Sequence, residues 1–298
     1  MTDFKNEIVR FNQPKTRDFF PDTFSNEVYF SEVKDFHAFG YTSNFSIKYV
    51  INGYENYKVG SRNFTINDGQ YLLVNDGQEV ICGHAEAKAI SIFLNNDLVY
   101  NVMDNLLYSE EHLLESPFEN MENNLNFFEN IYTHSDELGA FLKYFHHQQS
   151  HQRNFNINQE LFYLIAERLL LAQTKVQKSI NRIDSVKYST RCELFRRALI
   201  SKTFIEENLI ENFSLDLVAA HCGLSKYHLL RTFKSIYGTT PYNYYLYLKI
   251  EKSKPLLKKS TLSVTEIAEI SGFNDIHSYC KRFKVLNQMT PLQYRNVG

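Results

Sequence analysis

Two stretches of this 298-residue chain nearly repeat each other: GLSKYHLLRTFKSIYGTTPYNY at 223–244 and GFNDIHSYCKRFKVLNQMTPLQY at 272–294. Aligned, Ala219-x3-Gly223 falls on Ala268-x3-Gly272, Arg231-x-Phe233-Lys234 on Lys281-x-Phe283-Lys284, and Thr240-Pro241-x2-Tyr244 on Thr290-Pro291-x2-Tyr294. The offset is 49 residues before the glycines and 50 after them, so one residue is inserted in the second turn. A small alanine lets one helix approach another. The glycine four residues on sits where a helix stops and the backbone enters a left-handed turn.

Helix starts follow in both copies. Ser225 is placed to cap the next helix, and Ser263 with Glu266 forms an S-x-x-E capping box ahead of VTEIAEIS. Thr-Pro at 240–241 and 290–291 reads as a threonine cap with a first-turn proline. Each copy therefore predicts helix, tight glycine turn, helix, the arrangement that lays its second helix in a DNA major groove. One copy would suit a helical bundle equally well; two in register favour DNA. Between them Tyr242–Lys259, helical in pattern apart from Pro255, spans 18 residues and rises ~27 Å. Successive major grooves on one DNA face lie ~34 Å apart, so the chain reads as two readers on a rigid spacer.

Charge agrees. Residues 191–298 hold 16 Lys and Arg against 9 Asp and Glu, whereas residues 1–190 hold 16 against 25, although the whole chain nets only −2. Only the basic last third is expected to meet a polyanion. The length allows two domains with separate cores. With 43% hydrophobic and 22% charged residues, and no apolar run near the ~18–20 residues of a membrane helix, a soluble folded protein is expected. The opening MTDFKNEIVRFNQP has no apolar core behind a basic start, so no secretory signal is expected. Cys82, Cys192, Cys222 and Cys280 are far apart and lack CxxC spacing, which predicts reduced thiols in a cytoplasmic protein.

The first part of the chain changes pattern near residue 95. From about 24 to 94, short alternating segments (FSIKYVI, ENYKV, NFTI, QYLLV, EVIC, AISIFL) are separated by Asn52-Gly53, Gly60, Asp68-Gly69 and Asp76-Gly77. These are hairpin signals, predicting a small antiparallel barrel or sandwich. In the first segment Phe45, Ile47, Tyr49 and Ile51 share a core face, with Ser46 and Lys48 on a wet face. NNDLVYNVMDNLL predicts a short helix and the Asn-rich run near 107–127 a loop. Leu138, Phe141, Leu142 and Phe145 form a helical stripe within 135–150. In 156–173, Leu161, Leu164, Ile165, Leu169 and Leu171 surround a helix that is expected to pack on two surfaces, its own barrel and a second subunit. TKVQKSINRIDSVKYST, 174–190, reads as a linker.

Residues 191–298 resemble the DNA-binding domain of the AraC/XylS transcription regulators, two helix-turn-helix units joined by a linker helix. The run Gly272–Lys284 and the closing MTPLQYR at 289–295 carry the resemblance. Cys280 replaces the usual aromatic of the GF-x-SYF pattern, Ser253 replaces the usual linker alanine, and Pro255 is expected to kink the linker helix. The motifs G-x3-Y-x-V-G at 53–60 and G-x-YLLVN-x-G at 69–77 are similar to the cupin-like effector domain of many of these regulators. Enzymatic cupins show an H-x-H pair followed by a glutamate as metal ligands. Here His84 stands alone between Gly83 and Ala85, so no metal site, cofactor or catalytic residue is expected.

In the second helix of the first unit, Tyr227, Leu230 and Arg231 are expected to face the bases, with Leu229 and Phe233 turned inward. Arginine pairs bidentately with guanine, while Tyr227 and Leu230 offer apolar contact to thymine methyls. His277, Ser278 and Lys281 are the corresponding places in the second unit, and the resemblance points to the same positions. The plainer reading of each is a solvated or phosphate-facing side chain. Ser225, Lys226, Lys234, Arg282 and Lys284 are expected at phosphates. Cys222 and Cys280 read as inert buried thiols. His146, His147 and His151 look like a metal or pH cluster but read rather as a solvated helix end, and most of the 24 Phe and 20 Tyr read as core, with a ligand pocket as the lesser alternative.

The expected architecture is α+β. Residues 1–173 form a cupin-like β-barrel with a helical dimerisation segment, 174–190 a linker, and 191–298 an all-α pair of helix-turn-helix units. The expected function is sequence-specific transcription regulation by a homodimer that binds double-stranded DNA, engages RNA polymerase and senses a small molecule of unknown identity. Three rivals are weighed. A barrel that binds no ligand and only mediates protein contacts stays open. A cupin enzyme with an accessory DNA domain is disfavoured by the missing ligand pattern, and a fused DNA-repair methyltransferase by the missing zinc-cysteine cluster and reactive cysteine.

Overall fold

The computed structural model describes residues 8–11, 25–37, 40–107, 125–134, 136–151, 157–209 and 212–297; it divides into two compact units, Met1–Gln177 and Lys178–Gly298. The first is strand-rich: β1 Ile8–Phe11, β2 Glu27–His37, β3 Gly40–Ser43, β4 Phe45–Val59, β5 Arg62–Asn67, β6 Gln70–Val74, β7 Gln78–Leu94 and β8 Ile131–Thr133. They form one sheet in the order β1-β2-β7-β4-β6-β8, with β3 added to β7 and β5 to β4. The β1–β2 pair is parallel and the other pairs are antiparallel.

Turns at Gly60, Asp68-Gly69 and Asp76-Gly77 form where the sequence predicts them, with the glycines at φ +55°, +70° and +71°. Asn52-Gly53 does not: β4 runs straight through it for 15 residues, with register shifts at Val50/Asn52 and Glu55/Tyr57. Gly53 has φ +87°, and a Cβ there would stand 1.9 Å from the Glu86 carbonyl oxygen of β7. The glycine marks a bulge where two backbones press together. Because of these bulges the first half of β4 pairs with β6 and the second half with β5.

The division into core and wet faces also changes. Phe45, Ile47 and Tyr49 are buried as expected, but Ser46 and Lys48 are each only 1% exposed. The sheet has two covered faces. The outer one meets α1 Asn96–Leu107 and α2 Glu137–His151, after which comes α3 Gln159–Asn181: Phe45 lies 4.9 Å from Phe127 and 6.3 Å from Tyr100, and Phe30 stacks on Phe145 at 6.2 Å. The inner one gathers a core of its own from Val50, Leu72, Val74, Val80, Ala87 and Ala89.

On α2 the stripe Leu138, Leu142 and Phe145 is buried, and Phe141 stacks on Phe145. His146, His147 and His151 lie on this helix, the last with its side chain outside the described residues. α3 continues through 174–181, residues read from sequence as linker. Leu169, expected on a two-sided helix, is 1% exposed, whereas Tyr163 and Leu171 are large apolar side chains that α3 leaves open. Most of the expected 107–127 loop lies outside the described residues. Among the described residues no helix is long and apolar enough to cross a membrane.

The second unit is helical: α4 Tyr188–Glu207, α5 Leu215–His221, α6 Lys226–Tyr237, α7 Pro241–Lys259, α8 Val264–Ile270, α9 Ile276–Asn287 and α10 Pro291–Asn296. It holds two cores. Val218, Ala219, Leu229 and Phe233 centre the first, and Ile267, Ala268, Tyr279 and Phe283 the second. α7 joins them, giving Tyr245 and Leu246 to one and Ile250 and Leu257 to the other. It is helical over all 19 residues, Pro255 included, ~28 Å of rise.

Candidate nucleic-acid interface

The repeat closes its two turns with the same bonds. After α5, Gly223 N–H donates to Ala220 at 3.1 Å and Leu224 N–H to Ala219 at 3.0 Å; after α8, Gly272 N–H donates to Glu269 at 2.8 Å and Phe273 N–H to Ala268 at 2.9 Å. Gly223 and Gly272 have φ +65° and +75°, the left-handed closure that satisfies the last helical carbonyls. Ala219 and Ala268 are buried, allowing close helix approach.

The next helices start from different caps. Ser225 Oγ accepts from His228 N–H at 3.3 Å, whereas Asp275 Oδ1 accepts from Ser278 N–H at 2.7 Å. The inserted residue is thus Asn274, and the partner of Ser225 is Asp275, which the sequence reading did not single out. The Ser278 backbone and hydroxyl hold the Asp275 carboxyl below its ordinary range. Counted from these caps, Tyr227 corresponds to His277 and Arg231 to Lys281. Leu230 corresponds to Cys280, and Ser278 to His228. The 50-residue offset itself was the available signal for Cys280.

Tyr227, Leu230 and Arg231 are exposed on α6, as are His277, Ser278 and Lys281 on α9, while Leu229, Phe233, Tyr279 and Phe283 turn inward. Arg231 is occupied: its guanidinium pairs with Asp184, and one turn on Ser235 Oγ donates to the Arg182 carbonyl at 2.7 Å. The segment 182–184 therefore lies along part of the first reader's outer side. Ser278 Oγ donates to Asp275 Oδ2 at 2.7 Å. Of the expected phosphate contacts, Ser225 serves as cap, Lys226 pairs with Asp216 at 2.9 Å, Lys234 and Lys284 are exposed, and Arg282 is half-buried.

Buried polar contacts fix the second reader on the spacer. Ser253, fully buried, donates to the Ile250 carbonyl at 2.7 Å and accepts from the Tyr279 hydroxyl at 3.0 Å. Lys249 Nζ donates to the Gly272 carbonyl at 2.6 Å and lies 4.4 Å from the Tyr245 ring centroid; burial lowers its pKa. Beside it opens a cleft of ≈ 520 Å³ lined by Phe213, Tyr245, Lys249, Phe273, Lys281 and Arg282 among others. Cys222 is buried and Cys280 half-buried, and burial raises both thiol pKa values, so neither has the thiolate character of a reactive cysteine. His84 pairs with His37 across β7 and β2, but their side chains lie outside the described residues.

Twin helix-turn-helix units on one spacer, each with an exposed second helix, define a DNA-binding protein of the double helix-turn-helix class. The profile of a family described as "Helix-turn-helix domain" matches residues 218–296. The chain is 34% identical over 112 residues to the HTH-type transcriptional activator AarP of Providencia stuartii, covering 37% of this chain and 83% of that protein. It is 34% identical over 92 residues to the MmsAB operon regulatory protein of Pseudomonas aeruginosa, covering 31% of this chain and only 30% of that regulator's length. A solved transcriptional regulator from Chromobacterium violaceum, described as having an AraC-type DNA-binding domain, is 28% identical, with a TM-score of 0.32 over 34% of this chain and 89% of that one. The chain belongs to the AraC family of transcription regulators.

Proposed function

We propose that this regulator reads two successive major-groove segments, α6 with Tyr227, Leu230 and Arg231 and α9 with His277, Ser278 and Lys281. Ser225, Lys226, Lys234, Arg282 and Lys284 steady both on phosphates. The observation that carries this is the recurrence of one exposed face on two identically closed frames, set along a spacer of ~28 Å. The protein acts in the cytoplasm as a homodimer, through an α3 surface that includes Tyr163 and Leu171, and recruits RNA polymerase; AarP, an activator by name, supports activation. The strand-rich unit is a cupin-like sensor of a small molecule. DNA fragments selected by the purified protein test the reading. Footprints should show two protected major-groove segments one helical turn apart. Lys284→Ala should weaken operator and scrambled duplex alike and make the logarithmic salt slope shallower by ~1. A single protected segment would refute the two-reader arrangement.

A further inference from the structure

The cleft beside Lys249 is built from two helical faces. Tyr242, Tyr245, Leu246 and Lys249 of α7 recur at the i, i+3, i+4, i+7 spacing of one helix side, and so do Ser278, Lys281, Arg282 and Val285 of α9. Asn212 and Phe213, just ahead of α5, and the turn at 272–275 supply the rest of the lining. Its volume of ≈ 520 Å³ lies within the ~300–1,000 Å³ of sites that enclose a small ligand.

The lining combines flat rings with unpaired positive charge. Phe213 meets Tyr242 at 5.4 Å between centroids and Tyr245 at 5.3 Å, while Tyr242 and Tyr245 lie 6.4 Å apart with ring planes 23° from parallel. Tyr242 is 50% exposed, which leaves ring surface for a further partner. Lys249 is engaged by the Gly272 carbonyl at 2.6 Å, but Lys281 and Arg282 make no ion pair or hydrogen bond among the described residues. The carboxylate of the lining, Asp275, accepts from the Ser278 backbone and hydroxyl at 2.7 Å each. Lys249, Lys281 and Arg282 against Asp275 leave two positive charges in excess.

Two excess charges and an arginine fork suit a phosphate dianion better than a single carboxylate. The open tyrosine ring suits a nucleobase, because every base has a π-face, and Asn212 and Asn274 add amide donors and acceptors for a base edge. A backbone phosphate of a duplex would use the cations but leave the rings idle. We propose that this cleft binds a nucleoside monophosphate, the base laid on Tyr242 and Phe213 and the phosphate held by Lys281 and Arg282. The proposal rests on the reading of Lys281 at bases and Arg282 at phosphates, for it makes nucleotide and operator rivals for the same two side chains. A free nucleotide then lowers operator affinity with no movement of either reader.

The test titrates the full chain by calorimetry, without DNA, using adenosine 5′-monophosphate, adenosine and ribose 5-phosphate. The monophosphate should bind at least ~10-fold more tightly than either fragment, since each fragment lacks one of the two contacts. Tyr242→Ala should weaken the monophosphate by ~5- to 150-fold, the range for losing one stacked base, and leave operator affinity within ~2-fold. Tyr242→Leu keeps apolar fill without a flat ring and should weaken it likewise, which covers an alanine variant that melts early. In fluorescence anisotropy the monophosphate should displace labelled operator competitively. Ribose 5-phosphate binding as tightly as the monophosphate, or a monophosphate affinity unchanged in both Tyr242 variants, would make the cleft a phosphate contact alone and end the proposal. Monophosphate that binds without displacing operator, or does not bind, overturns it as well. Titration without DNA and footprinting without nucleotide are independent, so a failed nucleotide site leaves the two-reader arrangement standing.

Discussion

Replacing Gly272 by alanine separates two costs that coincide at the second turn, and Gly238 supplies the control. Both glycines sit in the left-handed region, at φ +75° and +71°, but a Cβ at Gly238 meets nothing within 4 Å. Gly238→Ala should therefore lose only the backbone term, ~1–2 kcal/mol. At Gly272 the new Cβ would stand 2.7 Å from Lys249 Nζ and 3.1 Å from its Cε. The lysine must withdraw, losing its bond to the Gly272 carbonyl and its place against Tyr245. A hydrogen bond from a charged group is worth ~1.5–3 kcal/mol, and the freed ammonium regains part of that in water. Gly272→Ala should thus cost ~2.5–4 kcal/mol. Urea denaturation of residues 178–298, followed by circular dichroism with a shared slope, reads the difference directly. Losses equal within ~0.5 kcal/mol, a level typical of measurement scatter, would show that Lys249 is no clasp and that the turn holds α9 by backbone geometry alone.

Arg231→Ala and Lys281→Ala should each remove ~1–3 kcal/mol of base discrimination; titration against operator and scrambled duplex should show a reduced ratio, and an unchanged ratio would mean that the reading faces are misplaced. Asp184→Asn should free Arg231 and tighten operator binding modestly. The Arg231–Asp184 side chains are 55% and 79% exposed, and such pairs are worth ~0–1 kcal/mol, so the gain is at most about fivefold; it should vanish in an Arg231→Ala background. Ser253→Ala should destabilise the second unit by ~1–3 kcal/mol by stranding the Tyr279 hydroxyl, whereas Tyr279→Phe should cost only ~0.5–1.5. The reverse order in thermal melts would show that the Ser253–Tyr279 bond contributes nothing.

What the sequence determined by itself lies close along the chain. Glycine closures join residues three to five apart, and the caps at Ser225, Ser263, Thr240 and Thr290 join residues three apart. Spacing alone suffices to read them, so the repeat disclosed both helix-turn-helix frames, their buried Phe233 and Phe283, and the exposed side of α6 and α9. Tertiary structure decided whatever depends on partners far away in sequence. Alternation in β4 says that Lys48 and Ile47 face opposite ways, but not that both faces are covered; that follows from pairing with β6 and β7, some 24 and 43 residues on. Gly53 looks like a hairpin turn until the Glu86 carbonyl stands against it. Leu169 looks free to meet a second subunit until the folded chain buries it. Asp184 lies 47 residues from Arg231 and Tyr279 lies 26 from Ser253, separations at which no local pattern survives. A side chain's period along the chain fixes its direction; only packing fixes whether water or protein waits there.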